Sequence, residues 1–210
     1  TLLNAAENAV VISTINSAVE ARVLSSKKEK RVFASEHLQG PKTEISAEKA
    51  ELMKKVHDAL YASKIISYAQ GLDLISTMSA AKDWNLDLGK IAAIWRGGCI
   101  IRARFLDRIK EAFDKDANLE NLLLDKYFED AVENAQEKWR KVVAVASVMG
   151  IPVPAFSTAL CYYDGYRLAR LPANLLQAQR DYFGAHTYKR VDMDGTFHSE
   201  WLQLRKEPVA

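Results

Sequence analysis

The sequence is poor in the residues that punctuate or cross-link a chain. Its 210 residues include two cysteines, five prolines and nine glycines. Neither Cys99 nor Cys161 belongs to a C-x-x-C pair, and their spacing offers no thiolate zinc site. Both lie among apolar neighbours and are expected as reduced core thiols. Proline is absent between Pro41 and Pro152, which permits long helices. No apolar run reaches the roughly 18 residues of a membrane span, and no signal peptide is visible. A cytoplasmic, membrane-free protein is the expectation. The chain opens Thr1-Leu2-Leu3 without methionine, as expected of a piece of a longer polypeptide. Charge of one sign is also lacking: 29 basic residues face 27 acidic ones, for a net +2. That balance speaks against nucleic acid as a partner. It leaves open an anionic small molecule, which needs only a few local cations. No G-x-G-x-x-G fingerprint, phosphate-binding loop, H-E-x-x-H or nucleophile-elbow serine occurs. No metal site is expected.

Apolar residues make up 49% of the chain and charged residues 27%, which suits a globular domain. Residues 2–37 read as a first helix, stopped by Gly40-Pro41. Ser46 is a candidate N-cap for a second, with Glu48 in its first turn. That helix is expected to run to about Trp84, with Gly71 a weak point. A third stretch starts at Asp87-Leu88-Gly89 and runs to about Phe113. Asn118 or Asp125 can cap the next pieces. Phe128, Val132, Ala135, Trp139, Val142, Ala146 and Met149 recur at steps of four and three, one apolar stripe along a helix. Gly150 falls at its C′ position. A helix through Tyr162 and Tyr166 follows Pro152 and Pro154, and a last one runs from Leu171-Pro172-Ala173 to Gly184. From Ala185 the helical stripe disappears, and Thr187–Trp201 reads as extended with a turn at Asp194-Gly195. The fold class is all-α with an extended C-terminal tail.

Few residues suggest chemistry on their own. Gly97-Gly98, read as helical, point to close helix packing or to a ligand touching the backbone. His37 and His57 read as surface or partly buried residues without a role. The run Arg180-Asp181-Tyr182-Phe183-Gly184-Ala185-His186 is more suggestive. Arginine presents a planar fork of donors that matches phosphate oxygens. Histidine adds a further donor, and Gly184 lets the two converge. By spacing alone this is a weak signal, since arginines near helix ends mostly solvate.

Longer blocks carry a resemblance. Leu171-Pro172-Ala173-Asn174-Leu175-Leu176-Gln177-Ala178-Gln179-Arg180-Asp181-Tyr182-Phe183-Gly184-Ala185-His186-Thr187-Tyr188 resembles a signature of decarboxylating 6-phosphogluconate dehydrogenases. So do Ile94-Trp95-Arg96-Gly97-Gly98-Cys99-Ile100-Ile101-Arg102, Ala62-Ser63-Lys64-Ile65-Ile66-Ser67-Tyr68-Ala69-Gln70-Gly71, and the run from Pro152 through Tyr163-Asp164-Gly165-Tyr166-Arg167. The blocks fall in the family's order and span nearly the whole chain. The ending Phe197-His198-Ser199-Glu200-Trp201 resembles the bacterial type.

The resemblance implies the family's large helical domain. Residues 1–184 would be a partial helical substrate-binding and dimerisation domain, and 185–210 the extended tail. The N-terminal Rossmann domain, which binds most of the NADP, would be absent. The implied reaction is oxidative decarboxylation of 6-phosphogluconate to ribulose 5-phosphate and CO2, with NADP reduced to NADPH, in the pentose phosphate pathway. The family's catalytic lysine and glutamate precede this region, so no catalytic residue is assigned and the chain alone is expected to be inactive. Three substrate-binding positions carry over: Arg22, and the pair Arg180 and His186, which the family supplies from the neighbouring subunit of a homodimer. Val19 and Glu20 stand near where many members place phenylalanine. The stretch Leu202–Ala210 runs past the usual bacterial end. A non-catalytic helical dimerisation module is the alternative. Retention of the three phosphate-binding positions speaks against it. A nucleic-acid or protein-binding domain would show a basic face, whereas the one dense run, Lys27-Lys28-Glu29-Lys30-Arg31, reads as a solvated helix surface.

Overall fold

A computed structural model describes residues 1–41 and 49–201. Nine α-helices are present among the described residues: α1 Leu2–Glu7, α2 Ser13–Ser26, α3 Lys28–His37, α4 Lys49–Ala81, α5 Leu88–Ile94, α6 Leu106–Lys115, α7 Lys126–Val148, α8 Pro154–Tyr166 and α9 Asn174–Gly184. β pairing among them is limited to one antiparallel bridge, Tyr188 with Phe197. The all-α expectation holds. The chain divides into two compact units, Thr1–Asp164 and Gly165–Ala210.

In the first unit, α4 packs mainly on α7 and α5 on α6. The expected stripe of α7 is the centre of the core. Phe128, Val132, Ala135, Trp139, Val142 and Ala146 are all buried, and Met149 is half-buried. They meet Ile65, Ile66 and Leu72 of α4 and Leu106 and Ile109 of α6. The Trp139 indole N–H, buried with the ring, donates to the Phe156 carbonyl at 3.1 Å. Asp125 caps α7 by accepting from the Tyr127 N–H, as its position at the helix start requires. Arg140 on α7 forms a two-point ion pair with Asp164.

Several boundaries differ from the sequence reading. The single helix expected over 2–37 is three. α1 ends in a Schellman turn in which the Val10 N–H reaches the Ala5 carbonyl at 2.9 Å. Its left-handed position is occupied by Ala9, at φ 55°, rather than by the usual glycine. α2 ends where the Ser25 and Ser26 hydroxyls turn back onto the Arg22 and Val23 carbonyls, each at 2.7 Å, in competition with the backbone ladder. α4 passes through Gly71 unbroken and stops at Ala81, three residues before Trp84. There the Trp84 N–H bonds the Ser79 carbonyl at 2.9 Å and Asp83 takes φ 54°. The expected opening of α4 at Ser46 and Glu48 lies outside the described residues.

The third stretch is two helices joined by irregular backbone over 95–105. Gly97 and Gly98 sit in that joint, not in a helix. A Cβ at either would meet nothing within 4 Å, so close helix packing does not explain them. Gly98 takes φ 66°, which glycine adopts without strain. The core-thiol expectation also needs correction. Cys161 is exposed and Cys99 half-buried, because on α8 it is Ala159 and Leu160 that turn inward. The Gly150 expectation holds: φ is 67°, and the Ile151 N–H closes onto the Ala146 carbonyl at 2.8 Å.

α1 and α2 rest on α4 through a small second cluster, Ala5, Ile12 and Leu74. α2 has no capping side chain of its own, since Ile12 occupies the N-cap. Gln70 of α4 supplies the missing acceptor. Its fully buried amide takes the Thr14 N–H at 3.0 Å and donates to Ser13 Oγ at 3.2 Å. This tertiary cap fixes the start of the helix that carries Arg22.

Among the described residues no helix is long and apolar enough to cross a membrane, and no cluster of three or more metal-ligating side chains forms.

Candidate functional site

In the second unit the chain leaves α9 and folds back on it. Asp181 organises the return. It is completely buried although it stands in the last turn of a helix, where a negative charge opposes the dipole. Its Oδ1 accepts from the Thr187 N–H and from His198 Nδ1, each at 2.9 Å. Its Oδ2 accepts from the Ser199 N–H at 3.0 Å and the Trp201 indole at 2.9 Å. Burial by itself pushes the Asp181 carboxyl up. The hydrogen bonds from Ser199, His198, Trp201 and Thr187 outweigh it and hold the group well below the usual carboxylate range.

The knot leaves His186 in an unusual turn. Its neighbours Ala185 and Thr187 both lie in the left-handed region, at φ 49° and 61°. For a β-branched residue such as Thr187 this is a rare conformation. The His186 ring lies over Gly184, where a Cβ would come within 2.9 Å of Nε2. Gly184 therefore serves the close approach of the ring. Gln177, one turn before Asp181 on the same face of α9, accepts from Arg180 Nη1 at 3.1 Å and donates to the Thr187 carbonyl.

His186 and Gln177 share a depression of about 700 Å³ whose lining also includes Arg170, Asn174, Lys189 and Arg190. Its charged lining residues are three cations, Arg170, Lys189 and Arg190, and one acid, Asp192. Arg190 is already paired with Asp192 at 2.6 Å, which holds the Asp192 carboxyl down to about 2. Arg180 is tied to the depression through Gln177. Among the described residues no carboxylate pairs with Arg180 or His186, and both are exposed.

Arg22 lies in the first unit, exposed on α2. It lines a depression of about 530 Å³ together with Thr14, Ser63, Lys64 and Phe156. The Thr14 and Ser63 hydroxyls there are buried without a hydrogen-bond partner. No ion pair to Arg22 occurs among the described residues.

Residue type and spacing do not single out Gln177, Asp181 or Lys64, although all three stand in the family-like blocks. For Asp181 a signal existed: an acid in the last turn of a helix needs a reason. For Gln177 the four-residue spacing to Asp181 was the only clue. Lys64 had none, because the residues that line the Arg22 depression opposite it come from α2 and α8.

These features define an all-α domain whose C-terminal unit exposes an arginine and a histidine that no carboxylate pairs with among the described residues. The description "6-phosphogluconate dehydrogenase, C-terminal domain" matches residues 1–201. The chain belongs to that family. It is 50% identical over 207 residues to 6-phosphogluconate dehydrogenase, decarboxylating 1, of Oryza sativa subsp. japonica, with 98% of this chain and 43% of that protein aligned. It is 51% identical over 203 residues to the decarboxylating 6-phosphogluconate dehydrogenase of Staphylococcus epidermidis, covering 97% of this chain and 43% of that one. Among solved structures it is similar to Plasmodium falciparum 6-phosphogluconate dehydrogenase, studied in apo form and in complex with its cofactor NADP+ and its substrate 6-phosphogluconate. That likeness has a TM-score of 0.87 at 43% identity, over 95% of this chain and 43% of that one. The chain thus spans less than half the length of these relatives.

Proposed function

We propose that this chain is the substrate-phosphate end of an NADP-dependent enzyme that converts 6-phosphogluconate to ribulose 5-phosphate and CO2. The observation that carries the reading is the Arg180–His186 turn, two exposed side chains without a paired carboxylate among the described residues, beside a segment that the buried Asp181 ties back onto α9, in a chain of this family. In the reaction, hydride leaves the substrate's C3 carbon for NADP+ and a base takes the C3 hydroxyl proton. The ketone so formed is the electron sink into which the C1 carboxylate departs as CO2. The remaining enediol takes a proton at carbon, gives up its hydroxyl proton and becomes the ketopentose. The groups that move these protons belong to the N-terminal part of the enzyme, as does most of the NADP site. No metal is needed.

This chain contributes affinity and orientation. A phosphate dianion suits the guanidinium fork of Arg180 and a donor from His186, with Arg22 as a third contact. Residues 1–184 act as the substrate-binding and dimerisation domain, and 185–210 as the tail that crosses to a second copy. Arg180 and His186 of one copy then complete the pocket that holds Arg22 of the other. Such an enzyme works in the cytoplasm in the pentose phosphate pathway.

The test is an assay of the full-length protein for NADPH formed from 6-phosphogluconate, with release of CO2 measured in parallel. Stoichiometric NADPH and CO2 are expected. NADPH without CO2, or neither product, would contradict the reading.

A further inference from the structure

We infer that Gln177 is a positioning residue that presets Arg180 and His186 for the substrate phosphate, an inference that rests on the role proposed for those two residues above. Gln177 uses both ends of its amide. The oxygen accepts from Arg180 Nη1 at 3.1 Å, and the nitrogen donates to the Thr187 carbonyl. Thr187 is therefore held at both polar groups of its backbone, because its N–H goes to Asp181 Oδ1 at 2.9 Å. Gln177 and Asp181 lie four residues apart, on one face of α9. Together they clamp a threonine whose φ of 61° persists only where the surroundings over-determine it. His186 sits inside the clamped turn, between Ala185 and Thr187.

The chemistry selects glutamine at this position. A carboxylate has no N–H for the Thr187 carbonyl, and an ammonium has no acceptor for Arg180. The half-buried amide also restrains a long arginine that is otherwise exposed. A guanidinium ordered before the ligand arrives loses less freedom on binding. Gln177 therefore acts on affinity for the phosphate and leaves the hydride and carbon dioxide steps alone.

The test uses the full-length dehydrogenase. Gln177→Met keeps the side-chain length and removes both hydrogen bonds. Gln177→Glu keeps an acceptor for Arg180 and removes the donor to Thr187. Both are expected to raise KM for 6-phosphogluconate, the methionine variant by about tenfold. KM for NADP and kcat are expected to stay within about twofold, the signature of lost uniform binding. In the Gln177→Met, Arg180→Ala double variant the rise is expected to fall short of the product of the single rises, since coupled residues are not additive. An unchanged KM in both Gln177 variants, an equal rise for NADP, or a fully multiplicative double variant overturns the inference. Where Gln177→Met fails to fold, Gln177→Glu carries the same comparison. Arg180→Ala and His186→Ala run alongside. If they leave KM for 6-phosphogluconate unmoved, the phosphate reading itself fails. If they raise it and the Gln177 variants do not, only the positioning role fails.

Discussion

Asp181 shows how one residue can fix a segment that has no helix of its own. Four donors from Thr187, His198, Ser199 and Trp201 converge on its carboxylate. The sequence announced Arg180 and His186 through residue type and spacing. It did not announce the acid that ties down the segment after His186, because the four donors lie up to 20 residues downstream and meet only in three dimensions. The sign of its pH effect follows from its lowered pKa. A carboxyl depressed in the folded state gives its full stabilisation above the ordinary value of about 3.9, and loses it as pH falls through the folded value. The Thr187 and Ser199 amides are therefore expected to stay protected from hydrogen exchange down to about pH 4. Below that, protection is expected to decline progressively as pH approaches the lowered folded value, and Asp181→Asn is expected to remove it at neutral pH. Loss of protection in the wild type near pH 6 would contradict this assignment.

Helix ends show what was legible at the scale of elements. Three Schellman turns close α1, α4 and α7, each with the same six-to-one hydrogen bond. Only the one at Gly150 could be read in advance. The others place Ala9 and Asp83 in the left-handed position, and neither residue type signals it. The stripe of α7 was legible because a helix packed on one side leaves a period of three and four. α4 was legible as a long helix, but its role as a cap for α2 was not, since a buried glutamine looks the same in sequence as a solvated one. Gln70→Leu is expected to leave the Thr14 N–H buried and unpaired, at a cost of about 2 kcal/mol in urea unfolding of the full-length protein. A loss under about 0.5 kcal/mol would show that α2 needs no partner at its start. Because α2 carries Arg22, the same variant is expected to weaken 6-phosphogluconate binding before it weakens NADP binding.

At the scale of the whole molecule, family membership and fold were legible because long blocks of sequence match in order. The division into Thr1–Asp164 and Gly165–Ala210 was not, because α8 runs across the boundary without a break in its pattern. Large apolar side chains stand exposed on α2 and α3, among them Val19, Val23, Leu24, Val32 and Phe33. If Arg22 and the Arg180–His186 turn complete one pocket from two copies, mixed chains are informative. Arg22→Ala and Arg180→Ala proteins are each expected to bind substrate poorly. Dimers formed from one copy of each would hold one pocket with both defects and one with neither. Co-expression is therefore expected to yield activity at low substrate that neither variant shows alone. Absence of that recovery in verified hybrid dimers would mean that each pocket is built within one chain.

The most direct measurement compares KM values in the full-length enzyme carrying Arg180→Ala. Loss of a charge-assisted phosphate contact is worth about 2 kcal/mol, or roughly a thirtyfold rise in KM for 6-phosphogluconate. KM for NADP is expected to hold within about twofold. An equal rise for both ligands, or none for 6-phosphogluconate, would contradict the phosphate-binding role of the Arg180–His186 turn.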